Sequence, residues 1–301
     1  MIVVKIKGGL GNQLFQYAAA LQLNKLYGNP IVLDLSFFEE EKFKGIFRLD
    51  KFPISYSVSN HVFRNKRKNL IRSIRNKLFY YSKLIMGRPY GNVISGDDLG
   101  SNYYFKLKEC AISSDVYLLD GWLQSFFYFS HVRNLLSEYL MPSEIDNTLV
   151  DLEHQIQTAS SVSVHIRRGD MESNSFFKVL GEDYYKEAVA YILSKVENPT
   201  FFVFSDEPEK AEYLLSFIKC AAIFIQENSQ RLGYYSTMND FIDFNLMRLC
   251  KHHIIANSTF SWWPAYLNNS ANHIVVAPIV WNQLGGPSSL LYQDWHLIHN
   301  K

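Results

Sequence analysis

Two adjacent arginines, Arg167 and Arg168, follow the short apolar run at residues 162–166. Guanidinium groups are charged at neutral pH, and their planar forks suit phosphate oxygens. Asp170 follows two residues later, so an ion pair that fixes the loop is the alternative interpretation. Both can hold, because one arginine can bind a phosphate while Asp170 orients the other. The pair therefore predicts an anion-binding loop.

Three further polar clusters also follow apolar runs of the chain. They are residues 8–13 (GGLGNQ), 204–207 (FSDE) and 257–263 (NSTFSWW). In open α/β sheets, ligands bind at the carboxyl ends of the strands. Ordinary surface loops explain serine, aspartate and glycine, but they do not explain two arginines directly after a buried strand. The four clusters together predict a ligand site at such an edge.

The glycine cluster combines backbone freedom with side-chain amides. Gly8, Gly9 and Gly11 let the backbone approach a ligand, and the helix predicted after them points its N-terminus at the same edge. Asn12 and Gln13 add amide hydrogen bonds. The glycine spacing differs from the G-x-G-x-x-G of dinucleotide-binding loops, which argues against a nicotinamide cofactor.

Hydroxyls and carboxylates complete the candidate site. Ser258, Thr259 and Ser261 stand at the start of a predicted helix, where hydroxyls either bind an anion or cap the helix. Asp206 and Asp243 can accept hydrogen bonds from guanine or from ribose, or can be solvated acids. The sequence contains no Asp-x-Asp pair and no His/Cys cluster with metal-ligand spacing. We therefore predict no metal, with the charge of a diphosphate met by arginine and helix N-termini.

Strand-like and helix-like segments alternate along the chain, which predicts an α/β fold with parallel sheets. The predicted strands are residues 2–7, 31–35, 116–120, 162–166, 201–204, 222–225, 253–256 and 274–277. The predicted helices are residues 12–27, 126–140, 183–196, 207–218, 238–250 and 260–267. A boundary in the polar stretch 142–158 divides the chain into domains at 1–155 and 156–301.

The charge balance hides a cationic segment. The 301 residues carry a net charge of +1, which argues against a protein that coats nucleic acid. From Lys51 to Gly96, however, ten residues are basic and none is acidic, so the rest of the chain carries −9. Residues 62–86 have apolar side chains at helical spacing among these lysines and arginines. Such a helix can lie on an anionic membrane surface or can pack as an ordinary surface helix.

The sequence shows no signal peptide and no apolar run of transmembrane length. The three cysteines, Cys110, Cys220 and Cys250, form no C-x-x-C pair and suit reduced thiols. These features predict a cytoplasmic protein. If the basic helix binds lipid, the protein would lie at the inner face of the membrane.

The motifs resemble one family across nearly the whole chain. KGGLGNQLFQYA at 7–18, VSVHIRRGD at 162–170, FSDE at 204–207 and LCKHHIIANSTFSWWPAYL at 249–267 are similar to the bacterial α-1,2-fucosyltransferases of glycosyltransferase family 11. The resemblance implies a GT-B fold, two Rossmann-like domains facing across a cleft, with the acceptor side in the first domain. It also implies inverting, metal-free transfer of fucose from GDP-fucose to the 2-OH of galactose, with no further cofactor. The acceptor would be a β-galactoside glycan, including one linked to lipid in O-antigen synthesis.

The resemblance also assigns roles to single positions. Arg167 would stabilise the β-phosphate of departing GDP, supported by Arg168 and Asp170. The resemblance leaves the general base unassigned, and Asp170 and Glu172 are the candidates that the sequence offers. Asp243 would read guanine. The implied catalytic residues are Arg167, Asp170 and Asn12. The implied donor-binding residues are His165, Arg168, Ser205, Asp206, Asp243, Asn257, Ser258, Thr259, Phe260, Ser261, Gly9, Gly11 and Gln13.

Three other functions are compatible with parts of the pattern. A glycosyltransferase of the same fold could use another nucleotide sugar. A nicotinamide-dependent oxidoreductase is disfavoured by the glycine spacing and the arginine pair. A non-catalytic carbohydrate-binding protein could stack sugar on Trp262 and Trp263, although aromatic residues in a helix are more often core.

Overall fold

The computed structural model describes residues 1–39, 46–59, 92–94, 117–141, 149–172, 175–225, 239–282 and 288–300. The strands within these ranges are β1 (Ile2–Lys5), β2 (Ile31–Asp34), β3 (Ser57–Val58), β4 (Asn92–Ile94), β5 (Tyr117–Leu119), β6 (Ser160–Ile166), β7 (Pro199–Ser205), β8 (Ala222–Phe224), β9 (His252–Ile254), β10 (Val275–Pro278) and β11 (His296–Ile298). The α-helices are α1 (Leu10–Tyr27), α2 (Arg133–Tyr139), α3 (Val150–Thr158), α4 (Gly169–Glu172), α5 (Glu182–Leu193), α6 (Pro208–Leu214), α7 (Asn239–Leu249) and α8 (Thr259–Leu267). Short 3₁₀ turns occupy Leu49–Lys51, Phe126–Tyr128, Ser130–Val132 and Ser288–Leu290.

The first compact unit comprises Met1–Asp50 and Ile54–Leu135. Its sheet has the strand order β3-β2-β1-β5-β4, and every described pairing is parallel. Helix α1 follows β1 and buries nearly all of its first four turns, which makes it part of the core rather than a surface helix. The helix ends at Gly28, whose φ of 72° is easily reached only without a side chain.

The second unit comprises Lys51–Pro53 and Leu136–Lys301 and contains a six-stranded parallel sheet of order β11-β10-β9-β6-β7-β8. Both faces of its central strands are covered. Phe201 and Val203 of β7 pack with α5, whereas Phe202 and Phe204 pack on the other face with α3 and α7. The prediction of an α/β fold with parallel sheets is confirmed, because every described pairing in both sheets is parallel and helices cover both faces of β7.

The units divide at Leu135/Leu136, ahead of the boundary predicted at 155/156. Helix α3 replaces part of the predicted linker, because Leu152 and Ile156 are buried against β7. The Arg248 side chain also donates hydrogen bonds to the carbonyls of Ser137 and Leu140, which joins the last turn of α2 and the residue after it to α7. The polar composition of 142–158 concealed an amphipathic helix.

One face of β6 is polar, although it lies inside the second unit. Ser161, Ser163 and His165 alternate with apolar residues and are at most 4% exposed. Ser163 Oγ lies 2.8 Å from Nδ1 of His253, whose Nε2 lies 2.7 Å from Nδ2 of Asn268. Hydrogen bonding of this kind makes the burial of the polar groups tolerable.

Several expectations concern segments beyond these ranges. The basic segment 62–86 lies outside the described residues, and so does Cys110. Cys220 is an exposed free thiol and Cys250 is a buried one. In the part of the chain that the structure describes, no helix is both long and apolar enough to cross a membrane.

Candidate active site

The arginine loop follows β6 and is held by Asp206 from the end of β7. The Asp206 carboxylate accepts hydrogen bonds from the backbone N–H groups of Arg168 (3.0 Å) and Gly169 (3.1 Å). It also lies 3.2 Å from the guanidinium of Arg167, which is 35% exposed. The parallel pairing of β6 and β7 places the two loops side by side at the carboxyl edge. Asp206 therefore positions Arg167, and the contact of Asp206 with the donor stays a prediction.

Arg168 is also tied into the loop, through its own side chain. Its Nε donates to Glu172 at 2.6 Å, and its Nη1 donates to the carbonyl of Leu180 at 3.2 Å. Lys210 donates to the other oxygen of Glu172 at 2.8 Å. The hydrogen bonds from Lys210 and Arg168 lower the pKa of Glu172, so it is a poor proton acceptor. The backbone of Asp170, the other candidate base, lies in α4.

His165 joins β6 to the helix that begins the last cluster. Its Nδ1 lies 2.8 Å from Oγ of Ser261 in α8, and its carbonyl accepts from Tyr185 at 3.1 Å. Burial, together with the charge of Arg167, lowers the pKa of His165 to about 3, so the ring is neutral at pH 7. Both side chains were predicted to contact the donor. Both are buried and bonded to each other, so they brace α8 against β6, and their contact with the donor stays a prediction.

Helix α8 begins at the same carboxyl edge. Ser258 is its N-cap and accepts a hydrogen bond from the N–H of Phe260. Asn257 is 4% exposed and donates to the carbonyls of Lys178 and Trp281. The Asn257 amide therefore holds two loops together, while partly exposed Ser258 and Thr259 remain beside the helix N-terminus. This is the part of the predicted anion site that a ligand can reach.

The Phe260 ring was also predicted to contact the donor. It lies 5.5 Å from the ring of His165 and 6.2 Å from that of Phe244, between centroids. Ser205 at the end of β7 is 7% exposed, and its Oγ accepts from the N–H of Glu207 at 3.0 Å. Ser205 therefore forms the turn that presents Asp206, a local role that its burial favours over ligand contact.

Asp243 stands on α7, partly buried, with Asp240 one turn away. Burial first, and the charge of Asp240 second, raise the pKa of Asp243 to about 7. No cation among the described residues forms a salt bridge with it. Burial of a carboxylate with no cation beside it among the described residues is costly, and such a carboxylate is a candidate functional group.

In the first unit, two glutamines of α1 brace the glycine loop. Gln13 is fully buried, donates to the carbonyls of Gly8 and Ile46, and accepts from the N–H of Arg48. Gln16 accepts from the N–H of Lys7 and donates to its carbonyl. The Gln13 amide is thus used inside the unit, and the contact of Gln13 with the donor stays a prediction. The sequence pattern gave no sign that the amide faces inward.

Gly9 and Gly11 occupy different environments at the start of α1. Gly9 is the exposed N-cap, and a Cβ added to it would meet no atom within 4 Å. Gly11 is buried in the first turn. The surface that a ligand can approach is therefore provided by Gly9, beside the partly exposed Asn12.

Gly8 has a stricter requirement, because its φ is +79° and its surroundings are filled. A Cβ here would lie 2.8 Å from Nδ2 of Asn12 and 2.9 Å from Cζ3 of Trp122. We expect Gly8→Ala to lower the free energy of unfolding by about 1–3 kcal/mol, since both the backbone and the neighbours oppose it. Urea unfolding measures this loss. Gly9→Ala is the matched control, with a cost of about 1 kcal/mol or less for a weaker cap; equal losses in the two variants would contradict the expectation.

A family model decides what the chain is. The model described as Glycosyl transferase family 11 matches residues 1–284. The chain belongs to glycosyl transferase family 11. This match confirms the resemblance that the four motifs showed, and its range includes the first compact unit of this family 11 chain and most of the second.

Three curated relatives of this family 11 chain are informative. The O-antigen biosynthesis glycosyltransferase WbnK of Escherichia coli is 34% identical over 310 residues, which cover 96% of this chain and 98% of the relative. The alpha-1,2-colitosyltransferase of Escherichia coli is 32% identical over 296 residues, which cover 93% of this chain and 92% of the relative. A galactoside alpha-(1,2)-fucosyltransferase 1 of Leontopithecus chrysomelas is 27% identical over 173 residues, covering 53% and 46%.

Solved structures support the fold class. The fucosyltransferase NodZ from Bradyrhizobium has a TM-score of 0.50 at 15% identity, covering 87% of this chain and 91% of that chain. The GDP complex of an Arabidopsis thaliana FUT1 mutant has a TM-score of 0.54 at 12% identity, covering 91% of this chain and 69% of that chain. With its two parallel α/β units, the family 11 chain has the GT-B fold class that its motifs imply.

Proposed function

We propose that this family 11 glycosyltransferase transfers L-fucose from GDP-fucose to the 2-OH of a terminal galactose, forming Fucα1-2Gal. The observation that carries the proposal is the Arg167 guanidinium, held at the carboxyl edge of β6 by Asp206. A cation fixed there before the reaction is suited to a diphosphate leaving group. The alpha-(1,2) linkage and the galactoside in the names of two relatives support the acceptor position.

In the proposed reaction, the galactose 2-OH oxygen attacks C1 of fucose on the face opposite to GDP. The bond between C1 and the β-phosphate oxygen breaks, and its electron pair leaves with GDP, which inverts the anomeric centre. Arg167 offsets the charge that develops on the β-phosphate. The proton of the 2-OH passes to a base, for which Asp170 is the candidate. Ser258 and Thr259 are partly exposed, so their hydroxyls can donate hydrogen bonds to the remaining phosphate oxygens.

Colitose is a second candidate for the transferred sugar. It differs from fucose by the absence of the 3-hydroxyl, and a relative that covers 93% of this chain is named as a colitosyltransferase. The phosphate and guanine contacts proposed here would be the same for both GDP sugars. The choice between them therefore depends on groups that surround the sugar ring, and it has to be made by assay.

The rival functions are less consistent with the side chains. Asp34, the acid at the end of β2, is fully buried and accepts from the N–H of Ser36, so it does not present a carboxylate to a nicotinamide ribose. Trp262 and Trp263 are fully buried, and Trp262 donates its indole N–H to the carbonyl of Leu290. They belong to the core of the second unit and do not form a sugar-stacking surface.

We expect GDP release from GDP-fucose to depend on a β-galactoside such as lactose and to be unaffected by EDTA. Initial rates with GDP-fucose, GDP-colitose, GDP-mannose and UDP-galactose at equal concentration rank the donors. Product analysis by NMR identifies the linkage and the anomeric configuration. A preference for GDP-colitose supports the second candidate. Loss of activity in EDTA that Mg²⁺ restores contradicts the metal-free mechanism.

A further inference from the structure

The first unit presents one exposed indole at the carboxyl edge of its sheet. Trp122 is 38% exposed, whereas Trp262, Trp263, Trp281 and Trp295, which complete the five tryptophans of the chain, are at most 7% exposed. Burial of the indole is usually favourable, so exposure of a single one is informative. Trp122 lies three residues after the end of β5. It is beside the loop that follows β1, because β1 and β5 pair in parallel.

The backbone next to Trp122 is strained in a way that keeps the indole at the surface. Leu123 is buried, at 1% exposure, yet has a φ of 53°, which is unfavourable for a residue with a branched side chain. The N–H of Ser125 donates to the Leu123 carbonyl at 2.8 Å, which closes a tight turn. Since this turn sends Leu123 into the core, the residue before it faces outward. Strained residues of this kind cluster at ligand sites.

Polar groups surround the indole. The Lys7 ammonium lies 4.9 Å from the centroid of the Trp122 ring and 3.5 Å from the Asp120 carboxylate. Asn12 Oδ1 accepts from Gln124 Nε2 at 2.7 Å, which fixes the Asn12 amide. Its Nδ2 and Trp122 Cζ3 lie 2.8 Å and 2.9 Å from the point that a Gly8 Cβ would occupy. An aromatic face, an amide and a carboxylate thus meet at one place.

We propose that this cluster, Trp122 with Asn12, Gln124 and Asp120, is the subsite for a neutral pyranose ring of the acceptor. The inference rests on the proposed function. A pyranose has one face of C–H groups, which stacks on an indole, and hydroxyls around its rim, which bond to amides and carboxylates. Lys7 covers one face of the indole, so the sugar stacks on the other.

Charge distinguishes the acceptor from the donor at this place. A nucleoside diphosphate needs unpaired positive charge, and the cation here, Lys7, is already shared between Asp120 and the indole. The Asp120 carboxylate, 38% exposed, would repel a phosphate but accept a hydrogen bond from a sugar hydroxyl. A neutral sugar therefore fits the cluster better than the donor diphosphate does.

The kinetic test uses Trp122→Ala and Trp122→Phe, with GDP-fucose and lactose. We expect Trp122→Ala to raise the acceptor KM about tenfold or more, while the affinity for GDP and the slow hydrolysis of GDP-fucose without acceptor stay within about twofold. Trp122→Phe should recover most of the loss, because it keeps an aromatic face. Leu26→Ala, which removes an exposed apolar side chain at the other end of α1, is the control and should behave as wild type.

A direct test uses fluorescence, because Trp122 is the tryptophan that acrylamide can reach. Lactose should protect the wild-type protein from acrylamide quenching, and the protected component should be absent from Trp122→Phe. Unchanged quenching at lactose concentrations that saturate transfer overturns the inference, as does an unchanged acceptor KM in Trp122→Ala. If the wild type transfers to no β-galactoside, the proposed function fails instead. Protection of Trp122 by other free sugars would then support the subsite alone, and protection by none of them would overturn it.

Discussion

Replacement of Arg167 by alanine is expected to lower kcat for fucose transfer by about 10²–10³-fold. The guanidinium is fixed by Asp206 at 3.2 Å before any substrate binds, so it needs little reorganisation when the β-phosphate acquires charge. The loop itself should survive the substitution, because Asp206 still accepts from the N–H groups of Arg168 and Gly169. The change is therefore expected in the chemical step and not in the thermal midpoint.

The matched control is Lys186→Ala. Lys186 is an exposed lysine of α5 that pairs with Glu182, so its removal changes the net charge by the same amount without touching the loop. Single-turnover rates at saturating GDP-fucose compare the two variants, and Arg167→Lys shows how much of the effect needs the planar fork. A kcat in Arg167→Ala within about threefold of wild type would remove Arg167 from the mechanism.

The positions of the clusters could be predicted from the sequence because they depend on local patterns. The apolar runs that became β1, β6, β7 and β9 and the turn residues after them are readable within a few residues. Parallel pairing then brings the ends of these strands to one edge of each sheet. For this reason the sequence predicts that three segments lie near one another: the loop containing Arg167, the turn containing Asp206 and the start of α8.

The partners of individual side chains could not be predicted in this way. The sequence offered Asp170 as an ion-pair partner for either arginine, whereas the carboxylate that the structure places beside Arg167 is that of Asp206, which follows another strand. His165 and Ser261 are far apart in sequence, and only the packing of α8 on β6 makes them a bonded pair. Such choices depend on tertiary geometry, where a hydroxyl or an imidazole braces the fold as readily as it binds a ligand.

The exposure of Trp122 could not be predicted from the sequence either. An aromatic residue after an apolar run is usually core, and this expectation is correct for Trp262 and Trp263. Nothing in the local pattern distinguishes Trp122, because its exposure comes from the turn at Leu123 and from the space that Gly8 leaves beside it.

Asp243→Asn is expected to weaken GDP binding by at least about 30-fold at pH 8, since a charged hydrogen-bond acceptor to guanine N1–H and N2–H is lost. The pKa of Asp243 is about 7, so in the wild type a tenth of the carboxylate is ionised at pH 6 and nine-tenths at pH 8. GDP affinity should therefore rise up to about tenfold over this range. Isothermal titration calorimetry at both pH values measures it, and the dependence should vanish in Asp243→Asn.

The same substitution should stabilise the protein. The folded chain keeps the Asp243 proton up to about pH 7, whereas the unfolded chain loses it near 3.8, so the contribution of Asp243 to stability falls as the pH rises between these values. Asparagine removes this cost, and we expect a gain of about 1–2 kcal/mol at pH 8 and little gain below pH 4. A residue kept for structure would show a loss instead.

Two comparisons isolate the guanine contact from a general effect on α7. Inosine diphosphate lacks the 2-amino group, so it should bind wild type more weakly than GDP but bind Asp243→Asn about equally well. Asp240→Asn removes the neighbouring charge that raises the pKa of Asp243, so its pH profile should move to lower pH while the preference for GDP remains. If Asp243→Asn keeps the wild-type preference for GDP over inosine diphosphate, the guanine is read by another group, and the raised pKa of Asp243 has no part in donor recognition.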